Sequence, residues 1–401
     1  MKQPLAFRGL VGLLSAAQSL GAVPRRLDPD TLEAAARKQT GLSDFGDAGY
    51  RRGLQVLCDS LNTESGLNAY GVVLARDLMV NFLANRLALQ EMRNRDAPEL
   101  RTPLQAPIIV TGLARTGTTA LHRMLAAAPG HRGVEWWELM SPVPFGKRAS
   151  VAARVKFAKG LLLPRKIFTP HLDAVHFIRE NTLEECLWMM GLTFEARTLI
   201  EVLPVPAYVE YFLTEADRDA KYRDYADLLR IMQAREPGKR LVMKSPEHMD
   251  GLPALLRQIP DAMVVMTHRD PVEAIPSYVS LSDLVHSLGV RERRIDRLAG
   301  LWLETGARSM QMHLNDRPSL PTRIYDHKYK DMLVDPLGSV ERVFRHFGLD
   351  WDTATAETVA RHTRENQQHK YGTHRYQISD FGLSADQVRA RFAQYPAQFY
   401  A

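Results

Sequence analysis

One segment, residues 106–125, restricts the possible folds of this chain more than any other. An apolar run, Ala106 to Thr111, leads into Gly112, and after four further residues Gly117 precedes a helical pattern. A short apolar run ending in glycine is typical of a buried parallel strand. In a strand, glycine loop and helix unit, backbone N–H groups and the helix N-terminus can surround a phosphate. We therefore expect an anion site at the carboxyl end of a strand in an open α/β sheet.

Further strands alternate with helices along the rest of the chain. Similar apolar runs occur at 240–243, 262–267 and 322–325, with helix-like stretches between them. This order predicts an α/β fold, a P-loop-like parallel sheet flanked by helices. We expect residues 1–103 to form an N-terminal helical segment. Residues 104–401 would form the α/β domain, with a helical insertion at about 150–235.

Two features of the insertion bear on function. A helix is predicted to begin at Glu180 and to run through Trp188. Aromatic residues of this region could line a pocket, although residues of this type more often lie in the core. They are Trp188, Phe194, Tyr208, Tyr211 and Phe212.

Composition excludes several classes of protein. Hydrophobic residues make up 45% and charged residues 24% of the 401 residues, which is ordinary globular composition. Two cysteines, Cys58 and Cys186, cannot form a disulfide scaffold. The net charge of +6 suits an anionic ligand, but it is too diffuse to indicate nucleic acid.

The first apolar stretch, residues 9–23, is shorter than the roughly 20 apolar residues that a membrane span needs. Its leucines repeat at helical spacing, which predicts an amphipathic helix packed on the body of the protein. A surface helix that touches lipid, giving peripheral membrane contact, is the alternative. Since no clear cleavage site precedes Arg25, we expect a cytoplasmic protein.

The glycine loop departs from a nucleotide P-loop at one position. The spacing and the hydroxyl of Thr119 match, but Thr118 stands where a P-loop NTPase has its lysine. Arg115 supplies a cation instead, and Thr116 adds a hydroxyl. This set suits a phosphate ester that carries less charge than a triphosphate, with no need for a metal. An ordinary strand-to-helix turn is the plain alternative.

Two other strand ends carry candidate binding residues. Arg269 follows the strand at 262–267, where a planar guanidinium can hold a phosphate by two hydrogen bonds. Ser277 lies eight residues further on and can add a donor. Lys244 ends the strand at 240–243. Each has a structural alternative: a helix cap for Arg269, an intrahelical hydrogen bond for Ser277 and a rim position for Lys244.

These segments resemble the sulfotransferases that use 3′-phosphoadenosine 5′-phosphosulfate (PAPS), especially the bacterial branch related to tyrosylprotein and carbohydrate sulfotransferases. Residues 115–119 resemble the family's 5′-phosphosulfate loop, and residues 268–271 with Ser277 resemble its 3′-phosphate site. Residues 244–246 resemble a lysine segment near the sulfuryl group. The resemblance spans roughly residues 106–390 and implies PAPS as donor, 3′-phosphoadenosine 5′-phosphate as product, and no metal.

The resemblance also implies roles for individual residues. Arg115 and Lys244 would act in catalysis. The donor would be bound by the following residues: Arg115, Thr116, Gly117, Thr118, Thr119, Arg269, Ser277, Tyr329, Lys370, Gly372 and Arg375. The last three belong to a basic, glycine-containing stretch that is expected to close over the donor as a lid.

A hydroxyl acceptor needs a general base. A short strand is expected within residues 133–139, and Glu138 is the first candidate there, ahead of Glu135. His122 and His176 are weaker candidates, because His122 has core-like spacing and His176 has no evident partner. The acceptor, a small molecule, lipid or carbohydrate, is left open. So is the oligomeric state.

Two other functions remain open from the residues. One is a P-loop kinase or NTPase acting on a small molecule, although Thr118 at the lysine position argues against it. The other is a non-catalytic protein that binds anions or a lipid surface, as the net positive charge and the apolar N-terminal helix would allow.

Overall fold

A computed structural model describes residues 4–321, 324–366 and 376–400. Its sheet has five parallel strands in the order β2-β3-β1-β4-β5. The strands are β1 (Ile108–Gly112), β2 (His131–Arg132), β3 (Arg240–Lys244), β4 (Met263–His268) and β5 (Tyr325–Lys328). The predicted α/β class is confirmed. The last strand begins at Tyr325, at the end of the stretch expected at 322–325.

Helices precede, interrupt and cover this sheet. In the described part of the chain they are α1 (Leu5–Ser19), α2 (Pro29–Thr40), α3 (Tyr50–Thr63), α4 (Ala69–Asn94), α5 (Thr118–Ala127), α6 (Trp136–Met140), α7 (Val151–Phe168), α8 (Leu187–Met190), α9 (Pro206–Thr214), α10 (Arg218–Arg235), α11 (Leu252–Gln258), α12 (Pro271–His286), α13 (Ile295–Asp316), α14 (Tyr329–Val334), α15 (Pro336–Phe347), α16 (Thr353–Glu365) and α17 (Ala385–Arg391).

The central strands β1 and β4 are buried on both faces, which explains their continuous apolar sequences. Alternate residues of β1 enter two separate cores. Ile108 and Val110 pack with α5, α15 and α16, whereas Ile109 packs in a larger core on the opposite face. That larger core also contains α2, α3 and α4 and the helices of the 150–235 stretch. The N-terminal helices therefore share their apolar interior with the sheet.

The register places three strand ends side by side. Val110 of β1 pairs with Lys244 of β3 on one side and with Val265 of β4 on the other. Gly112, the last residue of β1, pairs with Thr267. Because all strands are parallel, the loops after β1, β3 and β4 leave the sheet at the same edge, where ligands of such folds bind.

The N-terminal helix α1 lies against the body through one aromatic side chain. Phe7 is fully buried, and its ring centroid lies 5.3 Å from that of Tyr70 in α4 and 5.1 Å from that of Phe168 in α7. No helix in the described ranges combines the length and the apolar character needed to cross a bilayer.

Candidate active site

The loop between β1 and α5 is shaped by two glycines in the left-handed region. Gly112 has φ 137°, and a Cβ there would overlap the backbone of Thr267 in β4. Gly117 caps α5 with φ 84°, and a Cβ there would lie 2.5 Å from Met332 Cε and 2.7 Å from Tyr329 Cδ2. Only glycine satisfies both the backbone angle and the space. The loop therefore brings the N-terminus of α5 directly beneath α14.

Arg115 occupies the centre of this loop in a conformation that is uncommon for a residue with a side chain. Its φ is 70°, a feature that often accompanies functional sites. Its Nε donates to Ser277 Oγ at 3.1 Å, and its backbone oxygen accepts from Arg269 Nη1 at 2.9 Å. The two sequence motifs thus meet in one cluster. Burial lowers the pKa of Arg115, and nearby Arg269 contributes in the same direction.

Arg269 is held from two sides. Its guanidinium carbon lies 4.4 Å from the ring centroid of Tyr329, and its Nη2 lies 2.9 Å from a carboxylate oxygen of Glu273. Its side chain keeps 21% exposure and lines the cavity described below. Asp270, the next residue, caps α12 by accepting from the N–H of Val272 at 2.8 Å.

The threonines of the loop divide into two groups. The Thr116 hydroxyl donates to Leu113 O at 2.6 Å and lies 2.6 Å from the Thr267 hydroxyl, so its side chain holds the loop together. Thr118 and Thr119 line the cavity at the start of α5. The first N–H groups of a helix have no partner within the helix. The loop therefore presents amides and two threonines to the cavity.

A cavity of about 640 Å³ begins at this loop. Its polar end contains Arg115, Gly117, Thr118, Thr119, Arg123 and Arg269. The rest of the wall is largely aliphatic and aromatic: Tyr70, Leu74, Leu78, Trp136, Leu161, Leu162, Leu172, Ile178, Leu187, Trp188, Val202, Leu281, Val285, Leu288, Met332 and Leu333. Of the aromatic residues that the sequence predicted for the pocket, Trp188 lines the cavity. The aromatic residues 194, 208, 211 and 212 lie instead in the buried core.

Lys244 lies at the end of β3 and is fully buried. Its Nζ is 2.6 Å from Oε1 of Glu185, whose side chain is 19% exposed and lines the cavity. The N–H of Cys186 donates to the backbone oxygen of Lys244 at 2.9 Å, which fixes this segment against the strand end. The carboxylate and the ammonium thus form a pair that borders the cavity.

The expected helix starting at Glu180 is wrong: helix begins only at Leu187. Thr182 closes a turn with Arg179, and Leu183 then forms an antiparallel bridge with Glu135. These contacts hold the chain extended. As a result Glu184 and Glu185 both reach the cavity. The turn-forming Asn181–Thr182 pair is the one sequence signal that could have indicated this break.

His176 does have a partner, which the sequence did not reveal. Its Nε2 lies 2.9 Å from Oε1 of Glu184, and both residues line the cavity. Burial alone would raise the pKa of the Glu184 carboxyl, but His176, Lys244 and Arg123 together hold that pKa well below its ordinary value. By contrast, His122 is completely buried on α5, where its Nε2 lies 3.0 Å from the backbone oxygen of Val242.

The strand expected within residues 133–139 is wrong, because residues 136–140 form α6. Glu135 and Glu138 form the capping box that starts this helix. Glu138 is buried, with its carboxylate 3.1 Å from Arg132 and 2.9 Å from Arg235. Glu135 accepts from Trp137 Nε1 at 2.6 Å, and burial raises its pKa. Neither glutamate is among the described residues that line the cavity.

Of the remaining candidates, Tyr329 lies at the cavity, packed between Gly117 and Arg269. Lys370, Gly372 and Arg375 fall outside the described residues. In the described ranges no cluster of three or more histidine, cysteine, aspartate or glutamate side chains is arranged to hold a metal ion.

Fold and site together define a class of protein: an open α/β sheet with a glycine loop after its central strand, arginine side chains beside that loop and a largely apolar cavity. Residues 107–353 match the model of the sulfotransferase family, which is more than half of the chain. The chain therefore belongs to the sulfotransferase family.

Individual similar proteins are consistent with this family assignment. The omega-hydroxy-beta-dihydromenaquinone-9 sulfotransferase Stf3 of Mycobacterium bovis is 28% identical over an alignment of 251 residues, and the match covers 61% of this chain. The chain matches 63% of that relative's length, less than two thirds. The crystal structure of sulfotransferase STF1 from Mycobacterium tuberculosis H37Rv has a TM-score of 0.77 and 29% identity, covering 92% of this chain and 99% of that one. The structure of STF9 from Mycobacterium avium, 24% identical, shares the fold with a TM-score of 0.79, covering 93% of this chain and 96% of that one.

Proposed function

We propose that this protein transfers the sulfuryl group of PAPS to a hydroxyl group of an apolar, lipid-like acceptor. One observation carries the proposal: a single cavity has cationic and hydroxyl groups around Arg115 and Arg269 at one end and a largely aliphatic and aromatic wall along the rest. Membership in the sulfotransferase family supports the choice of a sulfuryl group as the group that is transferred.

The residues at the polar end fit a doubly phosphorylated nucleotide. The loop amides, Thr118 and Thr119 would bind the 5′-phosphosulfate. Arg269 and Ser277 would bind the 3′-phosphate, with Arg115 between the two groups because it already bonds Ser277. Tyr329, which supports Arg269, would help to position it. Lys370, Gly372 and Arg375 remain candidates for the lid.

The chemistry assigned to this chain is a proton transfer and charge stabilisation. The bound donor supplies the sulfuryl group and a phosphate leaving group. We assign the general base to Glu185, because its carboxylate reaches the cavity while those of Glu138 and Glu135 are engaged in capping α6. Glu185 accepts the hydroxyl proton as the acceptor oxygen bonds to sulfur. Lys244 Nζ, 2.6 Å from Oε1 of Glu185, would stabilise the oxygen of the breaking S–O bond.

An apolar wall favours an acceptor with a long hydrocarbon part. Side chains from α4, α7, α12 and α14 meet there, and most of them are leucine. Burying such surface provides about 25 cal/mol per Å² of apolar area. A carbohydrate would leave its hydroxyls without partners in this part of the cavity. The name of the relative Stf3, which specifies a hydroxylated menaquinone, is consistent with a lipid acceptor.

A kinase or NTPase fits these residues less well. Such enzymes use a loop lysine and a carboxylate that holds Mg²⁺. Here Thr118 stands in place of the lysine, and β3 ends in the cationic Lys244 where a carboxylate would be needed to hold Mg²⁺. Asp270, which follows β4, caps α12.

The test combines binding and transfer. Thermal unfolding is followed with 3′-phosphoadenosine 5′-phosphate and, separately, with ATP and Mg²⁺, since a ligand of the native state raises Tm. Labelled PAPS is then offered with alcohols of increasing chain length and with a sugar series. Stabilisation by the bisphosphate and transfer that improves with chain length are expected. Stabilisation by ATP and Mg²⁺ alone, with ATP turnover, would replace this proposal by the kinase or NTPase.

A further inference from the structure

The exposed hydrophobic side chains of this protein are not scattered. Across the described residues, every leucine, isoleucine, valine, methionine or aromatic side chain that is exposed lies in, or directly next to, α1, α7 or α14. They are Leu5, Leu13, Leu20, Val151, Leu163, Ile167, Leu333 and Val334, each 52% to 86% exposed. Single exposed leucines on a surface need no explanation, whereas a concentration in three elements does.

Two of these elements, α7 and α14, border the cavity, and α1 packs against residues next to it. In α7, Leu161 and Leu162 line the cavity and the next residue, Leu163, faces solvent. In α14, Leu333 does both, because it lines the cavity and is 52% exposed. The helix α1 joins this border through Phe7, which packs on Phe168 at the end of α7 and on the cavity residue Tyr70. On α7 and α14 the apolar surface outside is therefore continuous with the apolar wall inside.

The charge on two of these elements has one sign. Residues 1–27 contain no aspartate or glutamate, and neither do residues 145–172. Arg8 on α1 and Lys156, Lys159 and Lys166 on α7 are exposed. Lys159 is engaged by Glu180 at 3.1 Å, and α14 differs because it contains Asp331. Leucines interspersed with exposed basic residues are the composition of helices that lie in the interface of a membrane.

We propose that α1 and α7, with the end of α14, form a docking surface for an anionic lipid bilayer, placed so that an acceptor can pass from the bilayer into the cavity. The acceptor part of this inference rests on the proposed function, but the docking itself does not. Positive charge attracts the anionic headgroups, and the exposed leucines then enter the acyl boundary. This extends the lipid contact that the sequence offered for the N-terminal helix from one element to three.

Flotation with vesicles tests the docking without donor or acceptor. The full chain is mixed with vesicles of phosphatidylcholine alone, or of equal parts phosphatidylcholine and phosphatidylglycerol. Two variants are compared with it: L13S/L163S/I167S, which removes exposed leucine and isoleucine, and K156E/K166E, which reverses charge. The matched control, R223E/R297E, reverses two exposed arginines on α10 and α13, elements that contribute no described residue to the cavity wall.

We expect the full chain to bind the mixed vesicles. Either of the two surface variants, L13S/L163S/I167S or K156E/K166E (the rim variants), should weaken this binding about tenfold or more, and the control should leave it unchanged. Absence of binding would overturn the inference, and so would binding that L13S/L163S/I167S leaves intact, since this would be adsorption by charge alone. A dimer in sedimentation that the serine variant dissociates would assign the surface to a second copy and also overturn it.

A transfer assay with a short, water-soluble alcohol separates this inference from the proposed function. The rim variants should retain that activity, because none of their residues lines the cavity. Absence of vesicle binding by the full chain, together with normal transfer to the short alcohol, would reject the inference alone. Failure to bind 3′-phosphoadenosine 5′-phosphate would reject the proposed function and leave the docking result standing.

Discussion

The guanidinium of Arg115 donates to the hydroxyl of Ser277 across 3.1 Å, and this bond joins the loop after β1 to α12. The two residues are 162 positions apart in the sequence. Arg269 adds a second link by donating to the backbone oxygen of Arg115. The 5′ and 3′ halves of the proposed nucleotide site are thus one connected surface, and a change at either half should affect binding of the whole nucleotide.

Arg269→Ala should weaken binding of 3′-phosphoadenosine 5′-phosphate by roughly ten- to a hundredfold, because a charge-assisted hydrogen bond contributes about 1.5–3 kcal/mol. Titration calorimetry measures this. The control is Glu273→Gln, which removes the exposed partner of Arg269 and should change affinity little. Equal affinity in Arg269→Ala and the parent chain would remove Arg269 from the site.

Glu185→Gln should lower kcat by about 10²–10⁴ while nucleotide affinity is retained, since a general base contributes that much. Glu138→Gln should mainly lower Tm, because it weakens the buried contacts with Arg132 and Arg235. Steady-state transfer and thermal unfolding distinguish the two. If turnover instead collapsed in Glu138→Gln and survived in Glu185→Gln, the base would be Glu138.

Val285→Phe should raise the KM for a long-chain alcohol several-fold and leave nucleotide binding unchanged, because Val285 lines the apolar part of the cavity. Added volume there competes with the acceptor's hydrocarbon. Transfer kinetics with a short and a long alcohol provide the comparison. A matching rise in KM for the short alcohol would indicate distortion of the polar end.

Gly117→Ala should lower both Tm and nucleotide affinity, because the new Cβ would meet Met332 and Tyr329 at a φ that only glycine adopts readily. Gly300→Ala in α13 is the control: nothing lies within 4 Å of its added Cβ, and alanine favours helix by about 0.5–1 kcal/mol. Differential scanning calorimetry should therefore show a lower Tm for Gly117→Ala and a higher Tm for Gly300→Ala. If Gly117→Ala changed neither Tm nor nucleotide affinity, the loop would be able to accommodate the added Cβ, contrary to this prediction.

Stability should fall as pH rises toward neutrality, in part because of Glu195. Burial raises the pKa of this carboxyl to about 7, although Tyr211 donates to it. Between the unfolded value of about 4.3 and that pKa, the native state holds one more proton than the unfolded state, so the free energy of unfolding decreases by up to about 1.4 kcal/mol per pH unit. Above the folded pKa this decrease ends.

Glu195→Gln should remove this part of the pH dependence. Urea unfolding of both chains from about pH 5 to pH 8 gives the comparison. Parallel stability curves for the two chains would show that Glu195 ionises as it does in the unfolded state.

The local sequence pattern was enough to predict the sheet and the position of the glycine loop. Glycine at 112 and 117, three more apolar runs and Arg269 at a strand end predicted the α/β class and the meeting of the loops, because parallel strands bring their carboxyl ends to one edge. It was not enough between the strands. Glu135 and Glu138 were expected on a strand, yet their own capping box starts a helix.

The chain by itself determined where an anion could bind, since the requirement for glycine backbone angles and a helix N-terminus is local. Only the tertiary structure decided what surrounds that site. Glu185 meets Lys244, and His176 meets Glu184, because the 182–186 segment is held extended by β3 and by Glu135. Contacts between residues distant in sequence depend on packing, and no local pattern encodes them.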